Sequence, residues 1–238
     1  MRADGGTVEA QTGDADESGV IVLSGTHDLE ANAGSWISRG TRTSPFEGRP
    51  VALFMPPKTR FRASNGEGDL LLVSTLRPDP SADEVIEPDQ KPLLPLAGSN
   101  QAYDSRSGSW KPIESFPDSA EAILPRRIER DEIGGVTVER VFPIDYKPLG
   151  LTLGEAVLPA DAAVTAPTWL TSGAAADYPA EWAVYYRAEG ELEVSADGEQ
   201  LLVASDGVIQ GRGEAQLRAR GGPAYVALVC AGPKPAQP

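Results

Sequence analysis

TRFRASNGEGDLLLVST (59–75) and AQLRARGGPAYVALVCA (215–231) align without a gap at a constant offset of 156 residues. Five of the 17 positions are identical: Arg62 meets Arg218, Ala63 meets Ala219, Gly66 meets Gly222, Leu72 meets Leu228 and Val73 meets Val229. The two stretches also share a grammar of polar turn, strand, glycine-containing hairpin and apolar strand. A repeated supersecondary unit of this kind predicts a duplicated β-barrel. Two barrels in one chain follow.

The rest of the sequence is consistent with that reading. At 238 residues there is ample chain for a buried core. Gly 25 and Pro 21 with 6% aromatics predict short strands and tight turns rather than long helices. The runs VIVLSG, VALFMP, DLLLVST, GVTVERVF, LGLTLGEAVL, EWAVYYR, ELEVS, QLLVAS and AYVALVCAG are bounded by Gly, Pro, Asp and Asn. The best helix candidate, DSAEAILPRRIER (118–130), is interrupted by Pro125.

Residues 1–18 are acidic, small and almost free of large apolar groups, so they are expected to be disordered. An N-terminal barrel is expected over 19–115, with the proline-rich segment 78–100 as a surface connection. A C-terminal barrel is expected over 116–233, followed by a tail at 234–238. No run approaches 18 apolar residues, so no membrane span is expected. No apolar stretch follows Arg2, so no secretory signal is expected. The single Cys230 cannot form an internal disulfide, which fits a cytoplasmic protein. A net charge of −14 disfavours nucleic acid as a partner.

SWISRGTRTSPFEGRPVALFMPPKTRFRA (35–63) resembles the N-terminal half of the bicupin isomerases, the 5-deoxy-glucuronate and 5-keto-4-deoxyuronate isomerase group. EWAVYYR (181–187) is similar to their acidic-aromatic strand, and LVASDGVIQGRGEAQLRARGGPAYVALVCAGP to their closing strands. The resemblance touches both halves and is weak across 80–150. It implies an all-β fold of two cupin-type barrels, the double-stranded β-helix or jelly roll.

It also implies one divalent metal in the C-terminal barrel, held by a His-x-His pair, a glutamate and a later histidine. This chain departs from that pattern. Its one histidine is His27, expected at a strand end or on the surface. The glutamate falls on Glu181 or Ala183, and the later histidine on Glu214 or Gln216. In the N-terminal barrel, Arg60 stands after the proline corner where a ligand histidine is expected. No metal and no other cofactor is therefore expected.

What remains is a metal-free site. The glutamate of the family points inward from the EWAVYYR strand, which would place Glu181, Ala183, Tyr185 and Arg187 in the lumen. Glu181, Tyr185 and Glu214 are the candidate catalytic groups. Trp169, Thr171, Arg187, Gln216 and, in the other barrel, Arg60 are the candidate substrate contacts. A carboxylate desolvated beside aromatics can serve as acid or base without a metal. The expected activity is isomerisation, cyclisation or elimination of a small organic molecule, in the manner of bacterial specialised metabolism. The alternatives are a non-catalytic cupin that binds a small ligand or partner and a metal-dependent sugar-uronate isomerase. A homodimer is compatible with either.

Overall fold

A computed structural model describes residues 2–4, 6–14, 16–31, 34–40, 42–48, 50–55, 58–76, 101–104, 109–112, 129–142, 151–170 and 181–231. The chain divides into two compact units, Met1–Arg127 and Ile128–Pro238. Among the described residues there is no α-helix. The 78–100 connection, Thr171, the tail and most of the 118–130 helix candidate lie outside them. The last two residues of that candidate open a strand, Glu129–Ile133.

The first unit contributes β1 (Arg2–Asp4), β2 (Val8–Gln11), β3 (Asp16–Val22), β4 (Thr26–Ala31), β5 (Gly34–Arg39), β6 (Val51–Met55) and β7 (Arg60–Leu76). They form one sheet in the order β5-β4-β7-β3-β6, with β1 and β2 also paired to β7. A small hairpin, β8 (Gln101–Asp104) with β9 (Ser109–Pro112), completes the unit's described strands. The acidic N-terminal stretch is therefore not disordered as expected. Val8 and Ala10 pack against the core while Glu9 and Gln11 point to solvent, so alternation gives β2 one apolar face.

The second unit contributes β10 (Glu129–Ile133), β11 (Val136–Phe142), β12 (Leu151–Leu158), β13 (Ala163–Ala166), β14 (Glu181–Ala196), β15 (Glu199–Arg212), β16 (Ala215–Arg220) and β17 (Ala224–Ala231). The sheet order is β10-β11-β12-β17-β14-β16-β13, with β15 paired to β14. Two hairpins turn on two residues with positive φ, Gly134–Gly135 and Asp197–Gly198. That backbone matches the right-handed twist of the strands they join.

The duplication predicted from the offset of 156 is visible in the ladders. Arg62 lies opposite Glu9 on β2 and Glu30 on β4; Arg218 lies opposite Glu193 on β14 and Ala163 on β13. Leu72 lies opposite Val20 on β3, and Leu228 opposite Gly154 on β12. Phe61 and Ala63 enter one core, Leu217 and Ala219 the other. Both units are cupin-type, each a sheet curled as a half-barrel around an apolar core.

Candidate functional site

The interior of the second barrel is apolar. Trp182, Val184 and Tyr186 of β14 join Val226, Leu228 and Cys230 of β17 and Trp169 and Leu170 in a single core cluster. The expectation that Glu181, Ala183, Tyr185 and Arg187 face the lumen is corrected: period-2 alternation points them the other way. The apolar set on this strand is the even-numbered one, and burying it sets the face.

Several candidate residues nevertheless gather at one end of this barrel. After β13 the chain makes a 3-10 turn, Thr168–Leu170. Gly154 makes room for it, since a Cβ there would sit 2.9 Å from the Trp169 ring. Thr168 Oγ1 donates to Glu214 Oε1 at 3.2 Å. Trp182 Nε1 donates to the Gly213 carbonyl at 2.7 Å, fixing the turn that carries Glu214. Glu181 is exposed and paired with Arg212, its register partner on β15. Gln216 lies opposite Thr165 and accepts a 3.4 Å hydrogen bond from Arg218.

Trp169 itself is 3% exposed, and its backbone carbonyl accepts from Arg140 Nε at 3.2 Å. Its indole N–H has no acceptor among the described residues. A buried indole N–H ordinarily finds a partner, and this one stands out for having none among the described residues.

Tyr185 and Arg187 stand apart from this group. Arg187 is 3.8 Å from Asp206 of β15. The Tyr185 ring meets Tyr225 edge-on, with centroids 6.4 Å apart. Tyr225, fully buried, donates its hydroxyl to Glu155 Oε2 at 2.7 Å. Glu155 is 3% exposed and lies directly opposite Glu139, which is bound by Arg130. Sequence reasoning missed this buried Tyr225–Glu155 pair. Its only signal was a glutamate inside the otherwise apolar run LGLTLGEAVL.

In the first barrel, Arg60 is exposed on the rim of an open cleft of about 630 Å³. Arg62, Glu9 and Glu30 border it, with Phe61, Ala10 and Ala31 beneath. Arg62 is 3.8 Å from Glu9 and 3.9 Å from Glu30, so the cleft carries both signs of charge.

These barrels and the turns between their strands have known counterparts. Residues 1–101 match the KduI/IolB family. The resemblance noted in the sequence is to that family, and the fold agrees with it. An IolB-like protein of Salmonella typhimurium LT2 has the same fold at 18% identity, covering 96% of this chain and 80% of its own, with a TM-score of 0.64. A mutant of the oxalate decarboxylase OxdC of Bacillus subtilis follows at 12% identity, covering 98% and 67%, with a TM-score of 0.51. No curated protein matches the chain in sequence.

The metal implied by the KduI/IolB resemblance does not fit the residues present. The chain's one histidine, His27, lies in the first barrel, fully buried, with its Nε2 against the Ser24 carbonyl at 3.3 Å. The expectation of a surface position for it is corrected. Among the described residues no three His, Cys, Asp or Glu side chains converge in a way that could hold a metal ion. No described helix is long and apolar enough to cross a membrane.

Proposed function

We propose that the chain is a cupin-type, isomerase-like enzyme that works on a small organic molecule without a metal, at the Trp169–Glu214 end of the second barrel. The observation that carries this reading is the unspent indole N–H of Trp169, buried within the turn whose neighbouring threonine holds Glu214. The KduI/IolB match supports the isomerase-like class.

The chemistry needs one proton carrier and one donor for a carbonyl oxygen. Glu214 takes a proton from the carbon beside a substrate carbonyl and returns it to a neighbouring atom. Trp169 Nε1–H donates to the oxygen that gains charge, where a dry, preorganised donor is most effective. Trp182 forms the apolar wall. Glu181, held by Arg212, is placed to supply a second carboxylate at the rim, and Gln216 a polar contact. Isomerisation, elimination and cyclisation share this first proton transfer. Tyr185 and Arg187 lie on the opposite face and have no part in it.

The test is deuterium incorporation from D2O into a panel of ketouronates and other α-hydroxy carbonyl compounds, followed by NMR with and without chelator. Exchange is expected to be indifferent to chelator and to fall about 10²–10⁴-fold in Glu214→Gln. Exchange abolished by chelation, or a fully active Glu214→Gln, would sink the reading.

A second reading is favoured by the cleft around Arg60. There the chain would bind a small zwitterion or carboxylate without catalysis, Arg60 supplying the positive side and Glu9 the negative. Loss of ligand binding in Arg60→Ala together with full binding in Glu214→Gln would select it.

A further inference from the structure

Among the described residues four large apolar side chains are exposed, and three of them lie on β15: Leu201 at 51%, Leu202 at 53% and Val208 at 65%. β15 runs for 14 residues as an edge strand whose one partner among the described residues is β14. The hairpin ladder shifts register once, where three residues of β14 between Arg187 and Glu191 face the single residue Ser205 of β15. The extra residues are on β14, and on either side of that point β15 is regularly paired. Long apolar edges are what proteins normally blunt, because the free N–H and C=O groups invite another strand. Among the described residues this edge is open, and its three exposed apolar side chains call for an occupant.

We propose that β15 pairs antiparallel with β15 of a second copy of this chain, about a two-fold axis through Ser205. Such an axis runs normal to the sheet, and directly opposed residues share a face. Residue numbers of opposed pairs must therefore sum to an even constant. With Ser205 on the axis, Leu202 faces Val208 of the other copy and Leu201 faces Ile209. By symmetry each contact occurs twice. Both faces of the new ladder are then apolar-paired.

Charge selects the same register. Moving the axis one residue to Asp206 would set that carboxylate directly against itself and place Leu202 opposite Gln210. Moving it to Ala204 would set Leu202 against Asp206. With Ser205 on the axis, Asp206 faces Ala204 and keeps Arg187 on its own β14. The strand's sequence, QLLVASDGVIQ (200–210), is complementary to itself in this register.

Sedimentation of the full chain at tens of micromolar is expected to give a dimer. Leu202→Lys and Val208→Lys are each expected to weaken it by about tenfold or more, since each buries two ammonium groups against apolar partners. Opposed residues of an antiparallel pair have Cα atoms about 4.5–5.5 Å apart, within disulfide reach. Ser205→Cys is therefore expected to cross-link two chains on mild oxidation. Val208→Cys is not, because its two copies lie about 20 Å apart at six strand residues' offset. A monomeric wild type, a dimer untouched by both lysine variants, or equal cross-linking through positions 205 and 208 would each overturn the proposal. If a lysine variant fails to fold, the cysteine pair decides alone.

Discussion

Arg62 and Arg218 occupy the same position in the two barrels, each opposite a glutamate across an antiparallel pair: Glu9 in one, Glu193 in the other. The rung was copied but its surroundings were not. Glu9 is exposed and 3.8 Å from Arg62. Glu193 is mostly buried and is gripped by Arg220 through Nε at 3.0 Å and Nη2 at 2.9 Å. Solvent screens the first pair, whereas the second is a charge-assisted fork. In denaturant unfolding, Glu9→Gln is expected to cost less than about 0.5 kcal/mol, and Glu193→Gln about 1–3 kcal/mol. Equal costs would remove the distinction.

Tyr225 and Glu155 form a pair buried away from solvent. Removing the hydroxyl in Tyr225→Phe leaves a buried carboxylate oxygen short of a donor. The expected loss is about 1–3 kcal/mol, measured as a lower denaturation midpoint at unchanged slope. The double variant Tyr225→Phe, Glu155→Gln is expected to recover part of it. No recovery would show that the two do not act together.

His27 makes stability fall with acid. Burial holds the His27 pKa below its ordinary 6.5, outweighing the Ser24 carbonyl and the charge of Asp69, which pull it up. The unfolded chain then binds a proton more readily than the folded one. Stability is complete above about pH 6.5 and is lost as the pH falls through the lowered folded value. Denaturation midpoints at pH 7, 6 and 5 are expected to decline, and His27→Gln to flatten that decline. An unchanged slope in the variant would assign it to other groups.

Cys230 is expected to be inert. Burial pushes its thiol up to about 12, so little thiolate exists at neutral pH. A colourless aromatic disulfide reagent is expected to release no product from the native protein and one equivalent after unfolding. Prompt native reaction would contradict this burial.

Trp169→Phe separates the indole N–H from the ring's bulk. It is expected to fold normally and to lower deuterium exchange into substrate by about 10–10³-fold through loss of one oxyanion donor. Full activity would leave Trp169 as wall only.

The double barrel was legible because turn chemistry and apolar alternation are local, and both recur at one offset. The inward face of β14 was legible too, in Trp182, Val184 and Tyr186, but the family's inward glutamate pointed to Glu181 instead. With no imidazole set for that glutamate to serve, the apolar alternation decided the face. β2 was hidden because a strand with one small apolar face has nearly the composition of a disordered tail. The burial of His27 depends on Gly66, almost forty residues away, where a Cβ would collide with the histidine ring. Nothing local announces such a contact. Glu155 and Tyr225 likewise meet across 70 residues of chain.

One strand of the second barrel is answerable to three others. β14 pairs with β15 on one side, over 181–187 and again over 191–196, and on the other with β17 through its first half and β16 through its second. No neighbour can be peeled away without exposing the backbone of β14 to water. Loosening β14 in turn frees all three. The unit is therefore built to open in a single step, and amide hydrogens on β14, β16 and β17 should exchange at one common rate set by that event. The protein's lifetime before proteolysis would then depend on this hairpin rather than on its loops.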